Sequence, residues 1–206
     1  MLFRSMGRPF ADLQTWTMFV LGSENSPELA GALKKQSTAQ MLVVGSDLIG
    51  PRSDFAPFAI KKVPYLFFTH ATHRDYHGEG DTPERLNYTK LAEDSDRISR
   101  IVEDIARLEA RPRYLADPAY PPDEAAALRR ELEVVRRERP DLPPAYRLMF
   151  DSFESKLPSD DSREIRRIAT SALLSFATPR ISPFMLTFLL GPYFEREGLR
   201  SEEHTS

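Results

Sequence analysis

Hydrophobic positions in the first half of this chain follow two different periods, and the changes between them mark its elements. Residues 15–21 (TWTMFVL) and 41–45 (MLVVG) are short apolar runs rich in β-branched or aromatic side chains, each bounded by polar or turn residues, and both read as buried strands. Residues 63–68 (VPYLFF), set between Lys61-Lys62 and a polar loop, read as a third. Between them, Ser26-Pro27-Glu28 offers a capping hydroxyl, a proline for the first helical position and a first-turn acid, which predicts a helix over 27–35. A shorter helix is expected over 54–61, with Ser53 as its cap and Asp54 as its first-turn acid. From 88 to 107 the apolar residues Leu91, Ile98, Ile101, Val102, Ile105 and Leu108 recur at helical spacing. Glu93, Asp94, Asp96, Arg97 and Arg100 read as the solvated face of that helix. Strand, helix, strand, helix, strand with short connections predicts an α/β domain.

After Arg111 the pattern changes. Residues 111–123 (RPRYLADPAYPPD) form a proline-rich connector, and Asp123 is placed to cap a charged helix over 124–139 with Leu128, Leu132 and Val135 as its apolar stripe. Further helices are expected over 145–155 and 162–177, separated by Pro158. Residues 181–195 are strongly apolar, yet too short to cross a bilayer, and they contain Pro183 and Pro192. The expected organisation is an α/β unit over 1–110 and a helical extension over 111–199 packed on it. The bare alternative for the extension is an interaction module whose apolar last helix docks on a partner or membrane surface. Residues 200–206 (RSEEHTS) resemble the translation of a sequencing adapter and read as a non-native tail, so a fragmentary reading frame is expected.

Composition narrows the functional classes without choosing one. The 206 residues carry a formal charge of −3, which gives no electrostatic reason to expect nucleic acid. There is no cysteine, so neither disulfide nor thiolate chemistry is available.

Three of the four histidines, His70, His73 and His77, stand in one loop with Asp75, Glu79 and Asp81. That loop leaves the carboxyl end of a buried strand, where open α/β sheets place ligand sites. A loop histidine is by default solvated, and His70 and His73 are read so. Asp81 is read first as a helix cap, second as a carboxylate that fixes the loop by accepting backbone N–H groups. No Gly-x-Ser-x-Gly elbow supports a serine nucleophile.

Read together, Ser53-Asp54, Lys61-Lys62-Val63-Pro64, Tyr76-His77, Asp81-Thr82-Pro83-Glu84 and Leu86-Asn87-Tyr88 resemble the last metal-ligand segment of the M28 family of zinc exopeptidases. The resemblance covers roughly residues 1 to 108. It implies the C-terminal part of a three-layer αβα zinc-exopeptidase-like domain, followed by the helical extension. It further implies a peptide substrate, two zinc ions in the complete protein, and hydrolysis of terminal peptide bonds by a metal-activated water. His77 takes the place of the last zinc ligand, and Tyr76 and Asp81 are the residues around it that would position the loop or line the pocket. The family's His-x-Asp segment and its Glu-Glu pair, whose first member is the general base, have no counterpart in position here, so no catalytic residue is assigned. Residues 2–10 resemble the end of the central strand and its turn. Aligning on Gly7 puts Arg4 where the family has a zinc-binding Asp, and a guanidinium has no lone pair to donate. The chain as it stands is therefore expected to be inactive. By resemblance alone, an extracellular or periplasmic setting is expected. The alternatives are a non-catalytic relative used for binding and a glutaminyl-cyclase-like enzyme with a single zinc. Oligomeric state, substrate specificity and the end attacked stay open.

Overall fold

The computed structural model describes residues 2–49, 53–140 and 151. Among these residues four strands form one sheet: β1 (Leu2–Arg4), β2 (Met18–Leu21), β3 (Met41–Val44) and β4 (Phe67–Thr69), in the order β1-β4-β2-β3. β1 runs parallel to β4 and β2 parallel to β3, while β2 and β4 are antiparallel. The carboxyl ends of β1 and β4 therefore open at one end of the sheet, and those of β2 and β3 at the other. Four helices accompany the strands: α1 (Pro27–Lys35), α2 (Ala56–Ile60), α3 (Tyr88–Ala106) and α4 (Glu124–Glu138). The chain is α/β, as its periodicity predicts.

Side-chain alternation along β2 divides the core in two. Met18 and Val20 pack with Leu29 and Leu33 of α1 and with Ile98 and Ile101 of α3. Phe19 and Leu21 point the other way, into a cluster with Phe10, Phe55, Phe67 and the Leu128, Leu132 and Val135 stripe of α4. Leu128 and Val135 are fully buried, and each such side chain contributes roughly 1.5–3 kcal/mol relative to exposure. The helix expected in an extension thus supplies one face of the sheet's core. Its approach is fixed by the connector before it. Arg113 Nε donates to Glu28 Oε1 at 3.0 Å, and the amides of Leu115 and Ala119 donate to the carbonyls of Asn25 and Glu24, both at 2.8 Å. The Glu124 carboxylate then accepts from the Gly45 amide at 2.6 Å.

Two strands are shorter than their hydrophobic runs. The run 63–68 enters the sheet only at Phe67, because Pro64 has no N–H to offer a ladder and Val63 is exposed. The run 15–21 pairs only from Met18, while Trp16 packs edge-on against the His70 ring, with centroids 5.2 Å apart. The caps also differ. Phe55, not Ser53, is the N-cap residue of α2, and it makes no side-chain cap bond. Asn87 caps α3 by accepting from the Lys90 amide at 3.0 Å. The expected helices over 145–155 and 162–177, the apolar stretch 181–195 and the tail 200–206 lie outside the described residues, save for Asp151, whose carboxylate meets Arg136 at 2.7 Å.

Candidate functional site

At the carboxyl ends of β1 and β4 two loops meet, and the polar residues singled out from the sequence are carried by the second of them. The first turns sharply after β1: Ser5 (φ 53°) and Gly7 (φ 87°) are left-handed, and a Cβ on Gly7 would lie 3.2 Å from the Leu86 side chain. The turn delivers Arg8 under the second loop. Arg8 is buried, with 6 % of its side chain exposed, and its Nη2 donates to Asp12 Oδ1 at 2.8 Å and to Asp75 Oδ2 at 2.9 Å. Its Nη1 lies 3.6 Å from Asp81 Oδ1 and has no hydrogen-bond partner. Asp75 Oδ2 is shared with Arg85 Nη1 at 2.6 Å, and Asp12 Oδ2 accepts from the Arg74 amide at 2.9 Å. Burial pulls the Arg8 pKa down, but the hydrogen bonds to Asp75 and Asp12 outweigh it and leave it raised. The same bond from Arg8 holds the Asp75 carboxyl below its ordinary value.

His70 and His73, expected to be solvated, are buried. His70, with 1 % exposure, accepts the Gly7 amide on Nδ1 at 3.1 Å and faces Asp94 Oδ2 with Nε2 at 3.0 Å. It joins the turn after β1, the end of β4 and helix α3. Asp94 is accordingly buried, not part of a solvated helix face. His73 lies under the loop with Nε2 at 3.5 Å from Asp81 Oδ1. Burial, then the charge of Arg8, lowers its pKa, which disfavours the charged ring. Periodicity is silent about such residues, because their partners lie on other elements.

Tyr76, His77 and Asp81 occupy the outer turn of the loop. His77 is exposed, adopts a left-handed backbone (φ 59°), and its ring stands edge-on to Tyr76 with centroids 4.1 Å apart. The Gly78 amide donates to the Asp75 carbonyl at 2.7 Å and the Asp81 amide to the Gly78 carbonyl at 3.1 Å, which closes the turn around His77. Asp81 does not cap a helix. The short 3-10 turn that follows, Pro83–Arg85, has Thr82 at its N-cap, while the Asp81 carboxylate faces Arg8 and His73. Arg8, Asp12 and Asp94 were not singled out as site residues. The available signal was a cation in a tight turn, MGRPF, within a chain whose acid-rich loop follows a parallel strand.

Residues 12–102 match peptidase family M28. This part of the chain is similar to that family. No curated protein and no solved structure matches the chain. The M28 segment takes in β2, β3, β4, the His77 loop and most of α3, whereas Arg8 precedes it and α4 follows it.

The metal that the family implies can be tested against the donors present. The His77 imidazole is exposed, as a ligand to a metal at the loop surface must be. Among the described residues, however, no group of three or more His, Asp or Glu side chains converges to hold an ion. Of the acids in the loop, Asp75 and Asp81 face Arg8. Arg4 ends β1 in register with Thr69. The loop offers one exposed imidazole, the described residues do not make up a complete zinc site, and no hydrolytic step through zinc is derived from them.

Proposed function

We propose that this chain is a part of a zinc-dependent M28 exopeptidase, in which His77 supplies one metal ligand and the remaining ligands and the general base come from residues other than those described. The observation that carries the reading is the M28 match over 12–102, which contains the whole loop from His70 to Asp81. The geometry supports it: His77 is the loop histidine left open to solvent, while His70 and His73 are turned inward. In the complete protein the metal would polarise the scissile carbonyl and lower the pKa of a bound water. Tyr76 and Asp81 are proposed as the residues that hold the loop around His77. The chain by itself is proposed to be inactive, because a lone imidazole binds zinc weakly.

A second reading has one observation in its favour. Arg4 ends the strand at the position where the family has an Asp ligand, so a non-catalytic relative that retains the fold for binding would explain it.

The test has two stages. The 206-residue chain with added zinc is assayed on substrates for amino- and carboxyl-terminal cleavage, and no turnover is expected. The locus is then resequenced and extended upstream. A frame encoding the missing His, Asp and Glu ligands should yield a peptidase that chelators inhibit and that His77→Asn inactivates. An extended enzyme indifferent to His77→Asn would overturn the assignment of His77, and a frame without those ligands would favour the binding reading.

A further inference from the structure

We infer that Arg8, which lies ahead of the M28 segment and does not touch His77, is the positioning residue that presents the His77 imidazole. The inference rests on the reading of His77 as a site residue. His77 sits in a turn whose two ends are Asp75 and Asp81, and the carboxylates of both ends converge on the Arg8 guanidinium, at 2.9 Å and 3.6 Å. Between them the backbone passes through a left-handed conformation at His77 itself. A non-glycine residue holds that conformation only where the surroundings over-determine it. The side chain of His77 has no hydrogen bond among those described that would set its direction; its ring contact is with Tyr76. The amide bonds of Gly78 and Asp81 close the turn, and the pair of anchored ends fixes where the closed turn points.

Arg8 suits this task for physical reasons. Its Nη2 donates to two carboxylates, on Asp12 and Asp75, while Nη1 of the same plane faces Asp81, so three acids meet one rigid group with two separate nitrogens. It is 6 % exposed, so water competes little for its bonds. Asp12 in turn accepts from the Arg74 amide, and the Ala11 amide donates to the Thr72 carbonyl at 2.8 Å, so the loop after β1 and the loop after β4 are bonded to each other. Arg85 shares Asp75 but is about half exposed, and it lies beyond the turn, so it backs the clamp without replacing it.

The role predicts a local signature that general destabilisation would not produce. In the 206-residue chain, imidazole and aromatic ring signals are followed by NMR in the parent, Arg8→Met and Asp75→Asn. His70 is the internal reference, because its bonds to Gly7 and Asp94 involve neither Arg8 nor Asp75. The expected result is that His70 keeps its shifts in both variants, whereas His77 and Tyr76 move to conformationally averaged values and lose their ring-to-ring contact. Unchanged His77 and Tyr76 signals in a folded Arg8→Met chain would overturn the inference. If Arg8→Met does not fold, Asp75→Asn decides: it keeps Arg8 and severs one anchored end, and unperturbed His77 signals there would overturn the inference equally. Zinc alone, titrated into the parent, separates this claim from the reading beneath it. Zinc that shifts His77 equally in parent and Arg8→Met, with ring signals unchanged between them, defeats the role of Arg8 and leaves His77 as a ligand. Zinc that leaves His77 untouched, while Arg8→Met still releases the turn, upholds Arg8 as the clamp, and the ligand reading is then decided by His77→Asn in the extended enzyme.

Discussion

Raising the pH from about 5 to about 8 is expected to weaken the docking of α4 on the sheet, through one buried acid. Glu131 lies on the face of α4 that covers the sheet and is 5 % exposed. Its Oε2 accepts from Thr17 Oγ1 at 2.9 Å, and its Oε1 has no partner. Burial pushes its pKa up to about 7 from an ordinary 4.5; the Thr17 bond opposes the rise and the charge of Glu138 adds to it. A carboxyl raised in the folded state binds more protons folded than unfolded, so stability falls as the pH climbs. Its contribution is fully present below about pH 4.5, falls steadily above it, and is exhausted once the pH has passed about 7. At about 1.36 kcal/mol per pH unit, the gap between the two values corresponds to an upper bound of about 3 kcal/mol. His73 works in the opposite sense: its lowered pKa means the unfolded chain takes up a proton first, so its contribution improves as the pH rises. A variant is needed to separate the two. Glu131→Gln keeps an acceptor for Thr17 and cannot ionise. Urea unfolding followed by the single tryptophan, Trp16, would give stability for both proteins at each pH. The parent is expected to lose about 2–3 kcal/mol more than Glu131→Gln between the two conditions. Equal losses in parent and variant would refute the reasoning, for then Glu131 is ionised in the folded state throughout.

Three further outcomes follow from the same structure. His70→Ala leaves the Gly7 amide unpaired, takes one partner from the buried Asp94 and opens a cavity, and should cost about 3–5 kcal/mol by chemical denaturation. Gly22→Ala should be destabilising by roughly 2–4 kcal/mol, since the residue is left-handed (φ 99°) and a Cβ there would stand 2.5 Å from the Tyr65 carbonyl oxygen. His77→Asn, exposed and with a side chain that tolerates the left-handed backbone, should stay within about 0.5 kcal/mol of the parent in the same assay. A larger loss would show that His77 holds the fold, not a ligand.

Much of the fold was legible because its signals are local. The stripe of Leu128, Leu132 and Val135, the Ser26-Pro27-Glu28 start of α1 and the helical spacing through Ile98 and Ile101 each needed only the covalent chain and its periodicity. The position of the site loop was legible for the same reason: a buried apolar run ended and a polar one began. What could not be read was which loop histidine faces inward. His70, His73 and His77 share a spacing and a setting in sequence. They are sorted only by partners on other elements: Gly7 after β1, Asp94 on α3, and Arg8 beneath the turn.

By itself, the sequence determined the α/β class, the order of its elements, and the M28 resemblance of the segment that carries His77, because all three reside in residue type and spacing. The tertiary structure alone decided that β1 pairs parallel to β4, so that the loops after them meet at one end of the sheet, and that β2 runs against β4. It decided that α4 closes one face of the core, and that a buried arginine outside the family segment ties both ends of the His77 turn. Each is a contact between residues far apart along the chain. Such contacts depend on how apolar faces pair and where buried charges find partners, and no local pattern carries that information.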